Sequence, residues 1–247
     1  ARIPTGGWPM RRRASQRGFI LVLTLWILVA IAIAATYFAE RVQTSLRLAM
    51  SRQEQAQALI ELGNAQSEVL FRLGVTALSI HGLGDPPNAI HLDGRPYRHG
   101  NLEVELQDTA GLLSVNNAPD VQIGSVFGNL GVAEDKRAAL VDVLKDYIDT
   151  DDLRRLQGAE RLQYLQLGRT MGPRNEELTT VQELRELYGW AQIPSLWGPA
   201  GILEMTTVSG QPRINLNTAP WQVLASLPGI TPESARSVIS RREIEPI

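Results

Sequence analysis

The chain has 247 residues, a formal net charge of -2 and no cysteine. Near-neutrality excludes a polyanion binder that works by bulk charge. The missing thiol excludes disulfide scaffolds, thiolate metal sites and a cysteine nucleophile, and the length allows one or two domains with cores of their own.

Met10 directly precedes "RRRASQRGF", so translation is expected to start there, with residues 1–9 extraneous. Arg11, Arg12, Arg13 and Arg17 then stand before 21 uncharged residues, Phe19 to Ala39, followed by Glu40 and Arg41. As a helix this run spans about 31 Å, close to the hydrocarbon thickness of a bilayer. The positive-inside rule keeps the N-terminus in the cytoplasm and exports the rest. A cleaved secretory signal is the competing reading, with Ala32-Ile33-Ala34 as a cleavage site and the paired arginines as a twin-arginine feature. Against it, the run is longer than an ordinary signal h-region, and the helix signal continues past the membrane. No proline, and no glycine before Gly63, interrupts the following stretch. Leu59, Leu62, Ala65, Gln66, Val69 and Leu73 fall at spacings of three and four. One helix is therefore expected from about Phe19 to about Leu73.

After the helix, "HGLGDPPNA" reads as a loop. The Asp93-Gly94 pair between two short runs is a hairpin signal. "NLEVELQD" alternates Leu102, Val104 and Leu106 with polar residues, as a half-buried strand does. In "AEDKRAALVDVLKDYID" a helix is expected with Ala138, Val141, Leu144, Tyr147 and Ile148 on one face. "TTVQELRELYGW" starts with a Thr cap, Thr179 or Thr180, carries Glu183 three residues after Thr180 as a capping box, and predicts a helix ending at Gly189. "GLLSVNNAP" and "PRINLNTAP" echo one another, and each precedes a Leu/Gly element and a helix. The echo points to a duplicated helical unit of the SAM-like or helix-hairpin-helix kind.

Arginines, then Gly18, then Phe19, then an apolar helix that becomes amphipathic resemble a type IV prepilin or a type II secretion pseudopilin. In that group a prepilin peptidase cuts after the glycine and N-methylates the next residue, so the resemblance implies cleavage between Gly18 and Phe19 and methylation of Phe19. The fifth mature residue is usually Glu; here it is Leu23. A lone buried charge needs a partner, and a subunit with nothing above it has no neighbouring amine to neutralise. Leu23 thus resembles the tip position, held by the protein K family of minor pseudopilins. "ALVDVLKDYIDTDDLRRLQGAERLQYL", "NEELTTVQELREL" and "INLNTAPWQVLASLPGITPESARSVISRRE" resemble segments of that family in order, so the likeness runs from Arg11 to Arg242.

The resemblance implies an α+β fold: a long N-terminal transmembrane helix of pilin type, an antiparallel β-sheet and an inserted, mostly helical domain. Its expected parts are a basic leader at 1–18, the helix at 19–75, strands at 76–112, a first SAM-like domain at 113–210 and a second unit at 211–247. The last strands of the sheet would follow, so they are expected to be missing here. The implied function is non-enzymatic: an inner-membrane, single-pass subunit with its globular part in the periplasm, at the tip of the secretion pseudopilus, starting or capping its assembly. The implied partners are the other minor pseudopilins and the major pseudopilin, prepilin peptidase, the inner-membrane assembly platform, the secretin and exoprotein cargo, with no nucleic acid.

Two further constellations carry chemistry. Asp146, Asp149, Asp151, Asp152 and Glu160 crowd one stretch. Carboxylates so close repel unless solvated, protonated or bridged by a hard cation. The protein K resemblance implies calcium in the globular region, which makes Asp149, Asp151, Asp152 and Glu160 candidate ligands, with Asn175, Glu176 and Glu177 as further ones. The spacing matches no EF-hand, and a solvated helix end capped by Asp151 or Asp152 is the plain alternative. The helix-hairpin-helix "LPGITPESA" raises the alternative of a membrane-anchored periplasmic DNA-binding protein of competence type. Against it, Thr231 replaces the second hairpin glycine, Glu233 stands where a cation would help, and Arg236, Arg241 and Arg242 are offset by Glu233, Glu243 and Glu245. His81, His91 and His99 have no metal-ligand spacing, and Ser195 and Ser209 lie in no nucleophile motif, so no catalytic constellation is expected.

Overall fold

The computed structural model describes residues 17–210, 213–245 and 247. Met10 and the arginines at 11, 12 and 13 lie outside the described residues. The chain divides into two compact units, Ala1–Asn64 and Ala65–Ile247.

Helix α1 runs over Arg17–Val75, 59 residues. It contains the expected helix and extends it slightly at both ends. Thr24 and Thr36 turn their hydroxyls back onto the carbonyls of Leu21 and Ala32, each at 2.9 Å. Both threonine hydroxyls of the uncharged run are thereby satisfied within the helix. Every residue from Phe19 to Ile60 is exposed. Of the predicted stripe, Ala65 is buried and Val69 half-buried, while Leu59, Leu62 and Leu73 remain exposed.

Short strands follow: β1 (Leu78–Ser79), β2 (Gly82–Leu83), β3 (Asp93–His99) and β4 (Leu102–Gln107). β1 pairs antiparallel with β2, and β3 antiparallel with β4. The hairpin lies one strand later than its sequence signal. Asp93 and Gly94 begin β3 at a bulge, and the reversal falls at Gly100, which adopts a φ of 59°. Asp93 is held in the strand because its carboxylate takes Arg95 Nε at 2.9 Å and faces Arg242. Leu102, Val104 and Leu106 are half-buried, as their alternation predicts.

The helical region contains β5 (Leu113–Ser114), α2 (Asp120–Asn129), α3 (Glu134–Ile148), α4 (Arg161–Gln166), α5 (Ile202–Met205), β6 (Thr206–Thr207), α6 (Trp221–Leu224) and α7 (Pro232–Arg242). β5 and β6 pair in parallel, the one departure from an antiparallel pattern among the described strands. The inward face of α3 is broader than expected. Leu140, Val143 and Asp146 are buried with Val141, Leu144 and Tyr147, whereas Ala138 is exposed. The predicted helix after Thr180 is a single 3-10 segment, Val181–Glu186. The Thr180/Glu183 capping box forms as expected, but Gly189 does not end this helix. It takes a φ of 78° and leads into a second 3-10 turn, Trp190–Gln192. Trp190, wholly buried edge-on against Phe127 at 5.3 Å, sets that path.

The sequence echo is a structural repeat. In the first copy the N–H groups of Asn117 and Ala118 both donate to Ser114 O; in the second those of Thr218 and Ala219 both donate to Asn215 O. Pro119 then caps α2 and Pro220 caps α6 in matching extended conformations. Gly131 and Gly229 make the helix-to-helix turn with φ of 81° and 79°, a region that costs side-chain-bearing residues. α3 and α7 follow. The far ends of both modules close alike: Lys145 Nζ donates to Ala118 O at 3.1 Å, and Arg242 Nη1 to Ala219 O at 2.7 Å. One apolar core serves both modules, running from Leu113 through Phe127, Leu144 and Trp190 to Leu224 and Ala235. Asn116 staples it. Its Nδ2 donates to Leu178 O and Val208 O, and its Oδ1 accepts the Leu178 N–H at 3.0 Å.

Candidate functional site

The acidic stretch folds into a pocket at the C-terminal end of α3. Asp146, on the last turn, is fully buried, and both its oxygens accept the Arg155 N–H at 3.2 Å. Asp149 ends the helix as its C-cap. The chain then makes an exposed loop and returns at Glu160, the N-cap of α4. Glu160 and Gln163 stand in a capping-box arrangement, but the half that closes firmly is the Glu160 N–H donating to Gln163 Oε1 at 2.9 Å. Both Glu160 carboxylate oxygens are buried without a hydrogen-bond partner, as are Asp149 Oδ1 and Asn175 Oδ1.

The electrostatics follow from that burial. Desolvation, and then the charges of Asp146, Asp149, Asp152 and Asp151, push Glu160 up to about 7. Burial likewise raises Asp146, opposed by the Arg155 N–H, and raises Asp149, with Asp151 adding to it. The other four predicted carboxylates thus all act on Glu160. Asp151 and Asp152 are engaged on one side only: Asp151 Oδ1 accepts the Leu153 N–H, and Asp152 Oδ1 accepts Asn175 Nδ2. Asn175 joins from a distant loop, with its N–H on Tyr147 O and a φ of 54°. Glu176 faces Arg174 at 3.7 Å and is exposed, as is Glu177.

Among the described residues, no three His, Cys, Asp or Glu side chains are spaced to cage an ion unaided. The unpartnered atoms are nonetheless carboxylate and amide oxygens, the hard donors that calcium takes. A buried oxygen without a donor costs about 1–3 kcal/mol, so four together favour a ligand that accepts lone pairs. The residues fit calcium, with Asp149, Glu160 and Asn175 supplying the free oxygens and Asp151 and Asp152 beside them.

At the start of the second module's α7, Thr231 Oγ1 caps the helix by accepting the Ser234 N–H at 3.2 Å, and the Glu233 carboxyl is lowered first by its own backbone N–H and then by Thr231. Arg236 stacks over the Trp221 ring at 4.2 Å. Arg242 is buried between Leu216 O, Ala219 O and Asp93, where it staples β3 to this module. The three histidines do not converge with each other as a metal set. His99 lies 3.3 Å from Glu68, while His81 and His91 line a cavity of about 540 Å³ with Asp93 and Arg242. Ser209 contacts Thr207, with no base in reach of it among the described partners. The buried Asp93–Arg242 pair was not foreseen, since nothing local marks residues so far apart as partners.

Helix α1 contains the Gly18–Phe19 junction. Phe19 is 73% exposed and Leu23 49%. An 18-residue window of α1 reaches a mean hydropathy of 2.7, enough to cross a membrane.

Two family models match the chain, and both are described as type II secretion system protein K. One covers residues 100–193 and the other 214–247. Together they take in just over half of the chain. No curated protein sequence matches it. Among solved structures it is similar to a chain in the crystal structure of the GspK-GspI-GspJ complex from the enterotoxigenic Escherichia coli Type 2 Secretion System. That similarity is 20% identity with a TM-score of 0.46, over 71% of this chain and 68% of that one.

Proposed function

This chain belongs to the protein K family of the type II secretion system, and from that premise we propose that it is the tip subunit of the pseudopilus, initiating or capping its assembly. As a minor pseudopilin it is a structural component rather than an enzyme. Prepilin peptidase cuts between Gly18 and Phe19 and methylates Phe19. The uncharged start of α1 anchors the chain in the inner membrane, and the globular part stands in the periplasm. The chain then joins the other minor pseudopilins and the major pseudopilin, with the assembly platform below and the secretin and cargo above. Calcium, held at Asp149, Glu160 and Asn175, braces the helical part.

The observation that carries this reading is the bare helix. No residue from Phe19 to Ile60 is covered by the chain's own fold. An exposed apolar helix of this length needs lipid around its first turns and neighbouring helices around the rest. Leu23 keeps the span free of charge, which suits a position with no subunit above to supply an amine. Co-purification with the minor pseudopilins from membranes tests the reading, and no association with any of them would sink it. Leu23→Glu tests the tip position: the variant should enter the shaft more often than the parent, counted by cross-linking to the major pseudopilin. Equal incorporation would remove that inference.

A further inference from the structure

The loop between Asp149 and Glu160 is held in an unusual way. Residues 150–157 are exposed, and among the described residues the loop makes no backbone hydrogen bond to another element. Its holds are side chains. Both Asp146 oxygens take the Arg155 N–H, Asp142 Oδ2 takes the Gln157 N–H at 3.0 Å, and Arg155 Nη1 donates to Asp120 Oδ2 of α2 at 2.9 Å; within the loop Arg154 Nε donates to Gly158 O at 2.9 Å. Gly158 lies directly on Asp146; a Cβ there would stand 1.9 Å from Asp146 Oδ2. The carboxylate that grips the loop is therefore pressed into the same pocket as Asp149 and Glu160, the two ends of the loop, whose free oxygens have no donor. Closing the loop gathers carboxylates around one guanidinium: Arg155 lies 3.9 Å from Asp142 and from Asp146 and, with the Asp151 N–H, eases Asp149, whereas no opposing group eases Glu160.

The loop also has something to display. Leu153 and Leu156, near its tip, are 78% and 89% exposed. Asn175 ties a third segment to it, with Nδ2 on Asp151 O at 3.1 Å and Oδ1 unpartnered.

We infer that the Asp149–Glu160 loop is a cation-dependent latch: with a divalent cation held by the free oxygens of Asp149, Glu160 and Asn175 it closes and presents Leu153 and Leu156 as a fixed apolar pair, and without the cation it opens. The inference rests on the calcium reading above. The repulsion between the two ends opposes closure, and a cation shared by them removes it. The Arg155 and Gln157 N–H groups, bonded only to side-chain carboxylates, report the state of the latch because they reach water as soon as the loop lifts.

The test is hydrogen exchange by mass spectrometry on the full chain in detergent micelles, in saturating calcium or in chelator, with thermal melting on the same samples. In calcium the melting temperature should rise, and amides in 150–157 should exchange about tenfold or more slowly. In Glu160→Gln, and in Asp149→Asn as a second variant, the calcium-dependent slowing should vanish while 113–148 stays protected. A calcium-raised melting temperature with unchanged exchange in 150–157 overturns the latch and leaves calcium binding intact. No calcium effect on either readout overturns both. If both variants fail to fold, the parent chain alone decides between these outcomes.

Discussion

The first helical module, from Ser114 through α3, and the second, from Asn215 through α7, share a turn, a proline cap, a left-handed glycine and a terminal cation reaching back to an alanine carbonyl. They part after that cation. In the first, Lys145 is followed by Asp146 and Asp149, and the chain leaves into a pocket of unsatisfied oxygens. In the second, Arg242 is itself buried and turns Nη2 towards Asp93 of β3 at 3.5 Å. One scaffold therefore serves two ends: one leaves buried oxygens without donors, the other is locked to a neighbouring element. The lesson is that a repeated fold preserves the packing that builds the module, while the residues just beyond it decide whether the end seeks something or holds something.

The largest expected effect bears on whether the modules are separable. Leu144 and Leu224 are both fully buried in the common core. Leu144→Ala and Leu224→Ala should each cost about 2–5 kcal/mol, and each variant should melt the globular part in one transition followed by circular dichroism. Two transitions would mean two cores. Next comes the locked end. Arg242→Met leaves Asp93 with Arg95 alone and strips the donors from Leu216 O and Ala219 O, a loss of about 3 kcal/mol, whereas Lys145→Met should cost about 1. Urea titrations that find the two equal would erase the contrast between the ends.

The open end comes third. At a calcium concentration about 100-fold above Kd, calcium should stabilise the parent by about 2.7 kcal/mol. Glu160→Gln should lose most of that gain, yet melt at or above the parent in chelator because it removes an unpartnered buried charge. A variant that keeps the full calcium gain would take Glu160 out of the site.

The smallest effect lies away from both ends. Burial alone would raise Glu183, but hydrogen bonds from Thr179, Arg174 and Thr180 bring it from 4.5 down to about 2. A carboxylate lowered by folding stabilises above its unfolded value and loses that contribution as pH falls through its folded one. Stability should therefore decline between about pH 4.5 and pH 2, by roughly 2 kcal/mol from this group. Glu183→Gln should flatten that part of the curve; an unchanged slope would assign the decline to other carboxylates.

Much of this was legible in local pattern. The span of α1 follows from an uninterrupted apolar run and strong helix formers, and the Thr180/Glu183 box from a spacing of three. The repeat shows as two similar nonapeptides. Where local pattern misled, a distant partner had overruled it. Asp93-Gly94 looks like a turn but starts a strand, because Arg95 and Arg242 hold the Asp93 carboxylate. The stretch after Thr180 has helical composition but tightens to 3-10, with Leu184, Leu187 and Trp190 all buried in the core.

By itself, then, the sequence determined the apolar helix, the Thr180/Glu183 capping box and the gathering of acids after α3, since each depends on residues within a turn or two of one another. Only the tertiary structure decided which acids stay unpaired. That required Asn175 to arrive from another loop and Gly158 to press on Asp146. It likewise chose Arg242 to close the second module on Asp93. The physical reason is that periodicity and capping are short-range, whereas the desolvation that leaves a carboxylate without a donor, or makes a cation a staple, exists only once distant segments have packed.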